Sequence, residues 1–128
     1  MSVPPAVFHL GAYFAQLTEA DGCVPVAVGE GFWESGIGDL PPGRLVSLLD
    51  TGPAWSTWEC HPHGDEFILQ LDGSSMLWLD QDGRIEERRL QTGEFIIVPR
   101  GVWHTAEETE PGKALFITPG RETAVRPR

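Results

Sequence analysis

The sequence predicts an all-β fold, a single sandwich or barrel of short strands. Three observations carry this. The chain of 128 residues is rich in turn formers, with 15 Gly and 11 Pro. Short apolar or alternating runs recur at roughly ten-residue spacing, which suits strands joined by tight turns. Most of these runs close on Gly, Pro or Asp-Gly.

The elements follow in order. Ala6 to Leu17 carries Val7, Leu10, Phe14 and Leu17 at helical spacing, with Pro5 at a first turn. Gly11 interrupts that pattern, so an extended arm is the alternative. Residues 1–22 are therefore expected as a short N-terminal helix or arm. Val24, Val26 and Val28 then alternate with smaller residues, as in a strand. A loop from Ser35 to Gly43 contains Pro41-Pro42. Arg44 to Asp50 reads as a strand ended by Thr51-Gly52-Pro53. Trp55 to His61 and Phe67 to Leu71 are strands around a turn at Pro62 to Asp65. Met76 to Leu79 and Arg84 to Leu90 form a hairpin across Asp82-Gly83. Phe95 to Val98 is an apolar strand stopped by Pro99 and Gly101, and Ala114 to Thr118 is the last clear one. The tail from Pro119 to Arg128 is polar and expected to be exposed. One domain over residues 1–128 is expected, with its core at about 44–118 and a tail at 119–128.

Composition narrows the function. Nine Lys+Arg against 19 Asp+Glu give a net charge of −10. That balance argues against nucleic-acid backbones and anionic membrane surfaces as partners. No stretch approaches the roughly 18 apolar residues of a membrane span. Residues 1–5 lack the basic start of a signal peptide. Cys23 and Cys60 make no disulfide framework. A cytoplasmic protein with reduced thiols is the expectation. No Gly-x-Ser-x-Gly elbow, phosphate loop or dinucleotide fingerprint is present. Arg84, Arg88 and Arg89 alternate with Glu86 and Glu87 as a solvated strand face.

The chemistry concentrates in Glu59-Cys60-His61-Pro62-His63-Gly64-Asp65-Glu66. Alternate strand residues share a face, so Glu59, His61 and His63 can point together, and Glu66 re-enters after the turn. Imidazole and carboxylate together suit a divalent first-row metal: Fe, Mn, Ni or Zn. Trp55 shares the parity of Glu59 and His61 and is a candidate for the ligand pocket. Trp58 has the opposite parity and belongs outside, as does Trp103 on strand parity. Asp65 reads as a turn residue, His9 as a surface or packing histidine, and Cys60 as a buried structural thiol.

These residues resemble the two motifs of the cupin superfamily. Gly93-Glu94-Phe95-Ile96-Ile97-Val98-Pro99-Arg100-Gly101-Val102-Trp103-His104 matches the second motif, Gly, five residues, Pro, one, Gly, two, His. Glu108 stands where that motif ends in Asn. The first motif is His-x-His, three or four residues, Glu, six residues, Gly. Glu66 and Gly73 match its end. With His61 and His63 as the pair, the spacing to Glu66 is one residue short. With Glu59 and His61 as the pair, the spacing fits and Glu59 replaces a histidine. The second register is preferred, because loop length is harder to change than one ligand.

The resemblance implies a double-stranded, jelly-roll-like β-barrel with a metal at its mouth or centre. It implies His61, Glu66 and His104 as ligands, with Glu59 or His63 as a fourth. Glu59, if unligated, is the natural general base. The leading expectation is a metal-dependent enzyme acting on a small organic molecule, of oxygenase or isomerase type. The alternative is a non-catalytic ligand-binding or sensing module with a structural or absent metal. A homodimer paired by its sheets is expected, with the N-terminal arm able to cross to the partner.

Overall fold

The computed structural model describes residues 6–34, 36–52 and 54–128. Pro5, Ser35 and Pro53, placed above at a helix start, in a loop and at a strand end, lie outside these. Two antiparallel sheets face each other. The first has the order β2-β1-β3-β10-β5-β8 and the second β11-β4-β9-β6-β7. The strands are β1 Tyr13–Thr18, β2 Cys23–Ala27, β3 Gly43–Asp50, β4 Thr57–Cys60, β5 Glu66–Gln70 and β6 Ser74–Gln81. They continue with β7 Arg84–Gln91, β8 Phe95–Val98, β9 Trp103–Glu110, β10 Lys113–Thr118 and β11 Ala124–Pro127. Among the described residues no helix is long and apolar enough to cross a membrane.

Alternation decides what each strand buries. On β5, β10 and β3 the inward residues include Ile68, Ala114, Phe116 and Leu45. From the second sheet come Leu77, Leu79, Leu90 and Ala106. Each large apolar side chain buried here contributes about 2 kcal/mol. The β6–β7 hairpin turns at Asp82 (φ 55°) and Gly83 (φ 82°) with Gln81 opposite Arg84, the paired left-handed geometry that Asp-Gly favours.

Three segments differ from the sequence reading. The expected N-terminal helix is absent among the described residues. Tyr13–Thr18 is a strand paired with both β2 and β3. Phe14 and Gln16 point inward, and Phe14 meets Phe32 edge-on at 5.6 Å. Tertiary pairing thus overrides a helical spacing already weakened by Gly11. The hairpin packs on its own chain, and a short 3-10 turn at Gly36–Asp39 follows it. Secondly, Trp103–Glu110 is a strand that its polar sequence hid. It pairs with β4 and β6. Thirdly, the tail stays largely exposed, yet Ala124–Pro127 pairs with β4. Arg126 lies 5.3 Å from the Trp58 ring and 4.6 Å from the Trp103 ring, and bonds Asp80 at 2.8 Å. Arg128 lies 5.1 Å from the Trp78 ring. Cation–π contacts of this kind hold the tail to the outer face of the second sheet.

Candidate metal centre

Backbone geometry brings the two motif segments together. Glu66 opens β5, His61 directly follows β4, and His104 is the second residue of β9. Gly93 (φ 87°) and Gly101 (φ 77°) flank β8 in the left-handed region that glycine adopts without strain. The Gly101 amide donates to the His61 carbonyl at 3.0 Å. The Arg100 amide donates to Asp65 Oδ1 at 2.9 Å. Asp65 therefore acts as a turn residue that staples one motif loop to the other.

The side chains then converge. His104 Nε2 lies 2.9 Å from Glu66 Oε1, and His61 Nε2 lies 3.4 Å from Glu66 Oε2. All three residues are buried, at 0%, 5% and 4% exposure for His104, His61 and Glu66. Their candidate ligand atoms lie within 4.8 Å of one another. Neither Glu59 nor His63 joins that group.

The outer partners fix how the rings face. His104 Nδ1 lies 3.1 Å from the Val102 carbonyl, which can only accept, so Nδ1 carries a proton. Thr123 gives its hydroxyl proton to the Gly120 carbonyl, leaving its oxygen to accept from His61 Nδ1 at 2.9 Å. Both Nε2 atoms consequently face the Glu66 carboxylate. With neutral rings they present lone pairs there, an arrangement a shared cation or an added proton must reconcile. Thr118 completes the set, donating to Glu66 Oε2 at 2.6 Å. This donor chemistry fits a divalent ion held by His61, Glu66 and His104.

The charges follow from these contacts. Burial alone would raise the Glu66 carboxyl, but hydrogen bonds and charge from His104 and His61 hold it down at about 2. Burial disfavours the charged form of His104, yet Glu66 outweighs it, aided by Val102 and Glu59, and raises its pKa above the ordinary value. Glu59 is pushed up by burial and then by Glu66, with His61 and His104 opposing.

A family profile described as the cupin domain matches residues 45–118. The chain belongs to the cupin family. No curated protein sequence matches it. Hydroquinone 1,2-dioxygenase in complex with cadmium and 4-hydroxybenzonitrile is similar, with a TM-score of 0.56 and 22% identity over 65% of this cupin and 61% of that chain. Recombinant oxalate oxidase in complex with glycolate gives 0.52 and 18% over 63% and 45%. Hydroxypropylphosphonic acid epoxidase from S. wedmorenis, in complex with fosfomycin, gives 0.50 and 20% over 59% and 43%. This cupin spans less than two thirds of each of those chains. At such identities the likeness speaks to fold alone.

The other sequence candidates have distinct places. Glu59 sits opposite His104 in the β4–β9 register and lines a cavity of about 740 Å³ between the sheets. It accepts no side-chain hydrogen bond among the described residues. His63 is exposed, with Nε2 2.7 Å from Glu122 Oε1. Trp55 lines the cavity and meets His104 edge-on at 5.9 Å. Glu108 accepts from Thr51 Oγ1 at 2.8 Å. His9 is exposed and accepts from the Gly11 amide. Cys60 is buried and Cys23 exposed, both as free thiols. Sequence reasoning missed Thr118 and Thr123. Thr118 shares strand parity with Ala114 and Phe116, which was a usable signal. Thr123 lies in the tail read as polar and exposed, and nothing marked it.

Proposed function

We propose that this cupin is a metal-dependent enzyme acting on a small organic molecule held in the inter-sheet cavity. One observation carries the reading: two buried histidines aim Nε2 at one buried carboxylate while their outer nitrogens are committed elsewhere. His61, Glu66 and His104 would hold a divalent ion of Fe, Mn, Ni or Zn. Similar structures are complexes of iron, cobalt or cadmium, which supports a divalent ion here. Bound there, the ion supplies Lewis-acid polarisation of a substrate oxygen.

The chain's own residues supply the rest. Thr123, Val102 and Thr118 fix the orientation of the three ligands. Glu59 stands on the cavity wall outside the ligand group, where it can take or return a substrate proton. Trp55, Phe116, Ile68 and Leu77 give the cavity an apolar body that limits water.

A cytoplasmic homodimer goes with this reading. The two free cysteines support the location. The outer face of the first sheet supports the dimer. Phe67 stacks on Phe95 at 4.9 Å there, and Phe95 and Ile97 are 57% and 54% exposed. Leu69, Leu115, Ile117, Val46 and Leu48 continue the face in register. The charged residues that share this face, Arg44, Asp50 and Lys113, stand at its strand ends, and in a chain of charge −10 a second copy of its apolar centre is the partner that adds few facing carboxylates. Light scattering should give a dimer mass, and Ile97→Glu should shift it to the monomer.

Elemental analysis of untagged protein, purified without chelator, tests the central reading. Close to one ion per chain is expected. His104→Ala should lose the ion and keep its β-sheet circular dichroism. Protein that stays metal-free after reconstitution would overturn the enzyme reading and leave a ligand-binding barrel.

A further inference from the structure

The cavity's charged lining is one-sided. Asp50, Glu59, Glu66, Glu107 and Glu122 line it, and no lysine or arginine does among the described residues. The nearby cations are already engaged. Lys113 pairs with Asp50 at 2.8 Å, and Arg128 lies 3.4 Å from Glu107. A bound divalent ion does not reverse this balance. Glu66 and Glu59 together offset its two charges, and the histidines add none as neutral ligands. An anion entering the cavity would meet Glu59, which pairs with no lysine or arginine among the described residues, inside a chain of charge −10.

The rest of the wall is apolar and aromatic. Trp55 and Phe116 have ring centroids 6.2 Å apart, and Ile68 and Leu77 lie on the inner faces of opposite sheets. A volume of about 740 Å³ takes a molecule larger than a two-carbon acid. Glu59 faces this space with no side-chain hydrogen-bond donor among the described residues, so a ligand that brings one satisfies it.

We propose that the cavity takes a non-anionic, ring-bearing small molecule whose O–H or N–H donor meets Glu59, and that it turns away carboxylates and phosphonates. The inference deepens the proposed function by naming its substrate class, and rests on that reading only for the metal's place.

Calorimetric titration of the whole chain with naphthol, naphthylmethylamine and naphthoate tests it, metal-free and manganese-loaded. The ring is constant and the charge changes. Naphthol or the amine should bind at least about tenfold tighter than naphthoate in both forms, as expected for a carboxylate brought near Glu59. Glu59→Gln should narrow that gap several-fold, because the amide keeps the shape and loses the charge. Naphthoate binding as tightly as both others, or no binding by any probe, would overturn the proposal. Discrimination by protein that never retains metal would uphold it and defeat the metal reading. Tight manganese binding with naphthoate preferred would do the reverse.

Discussion

Two carboxylates face one cavity from opposite sheets in opposite surroundings. Glu66, on β5 of the first sheet, is met by His104, His61 and Thr118. Glu59, on β4 of the second, has no such donor and is raised by burial and by Glu66 itself. Glu66 is the more buried of the two, yet it is the one held down at about 2. Donors, not depth, decide which one is held below the ordinary carboxylate range. Environments that push two acids apart suit them to different tasks.

Glu66→Gln should break this contrast most severely. The amide keeps the shape and loses the charge both histidines face. Metal retention should fall below detection, and the metal-free protein should lose about 1–3 kcal/mol from its buried hydrogen bonds. Elemental analysis and chemical denaturation read the two effects. Undiminished metal would end the assignment of Glu66.

Acidity sharpens the same contrast in metal-free protein. Glu66 has a depressed pKa, so its contribution is present above the ordinary 4.5 and lost as pH falls toward about 2. His104 has a raised pKa, so its contribution is full below the ordinary 6.5 and lost as pH rises through its higher folded value. Metal-free stability should therefore be greatest between these limits and decline on both sides. In metal-loaded protein the alkaline decline should vanish, because the ion replaces the proton between His104 and Glu66. Parallel melting curves across pH, with and without metal, check this.

Thr123→Val tests the next layer. It removes the acceptor that orients His61 and leaves Glu66 untouched. Metal affinity should fall about 10- to 100-fold, the usual cost of losing such a partner. Glu59→Gln should change metal affinity less than that, while turnover falls about 100-fold or more if this carboxyl moves the proton. Equal losses of affinity in Glu59→Gln and Glu66→Gln would place both carboxylates in one role and erase the contrast.

What was legible in the sequence follows the same physics. Gly93, Pro99, Gly101 and His104 were readable because the motif ties each of them to a fixed spacing. β3, β5, β6, β7, β8 and β10 were readable from apolar runs and turn residues. β9 was not, since Glu107, Glu108 and Glu110 mask its alternation and its partners on both sides make it a strand. β1 has helical spacing and becomes a strand through contacts distant in sequence. β11 depends on Arg126 and Arg128 finding tryptophans from β4, β6 and β9, a signal no local window contains. Thr123 was illegible for that reason, because its place beside His61 exists only once the tail is tied down.

His63→Ala should have the smallest effect, and it decides between the two motif registers. His63 lies two residues from His61, yet it is 38% exposed and faces Glu122, itself 70% exposed. An exposed pair of this kind is worth about 1 kcal/mol or less. His61→Ala, by contrast, opens a gap beside Glu66 and frees Thr123. Metal affinity should fall steeply in His61→Ala and change less than about threefold in His63→Ala, well under the cost of losing an outer partner. Equal losses would mean that the 61–65 loop rearranges to bring His63 inward when metal binds, and that the pair of motif histidines is His61 and His63.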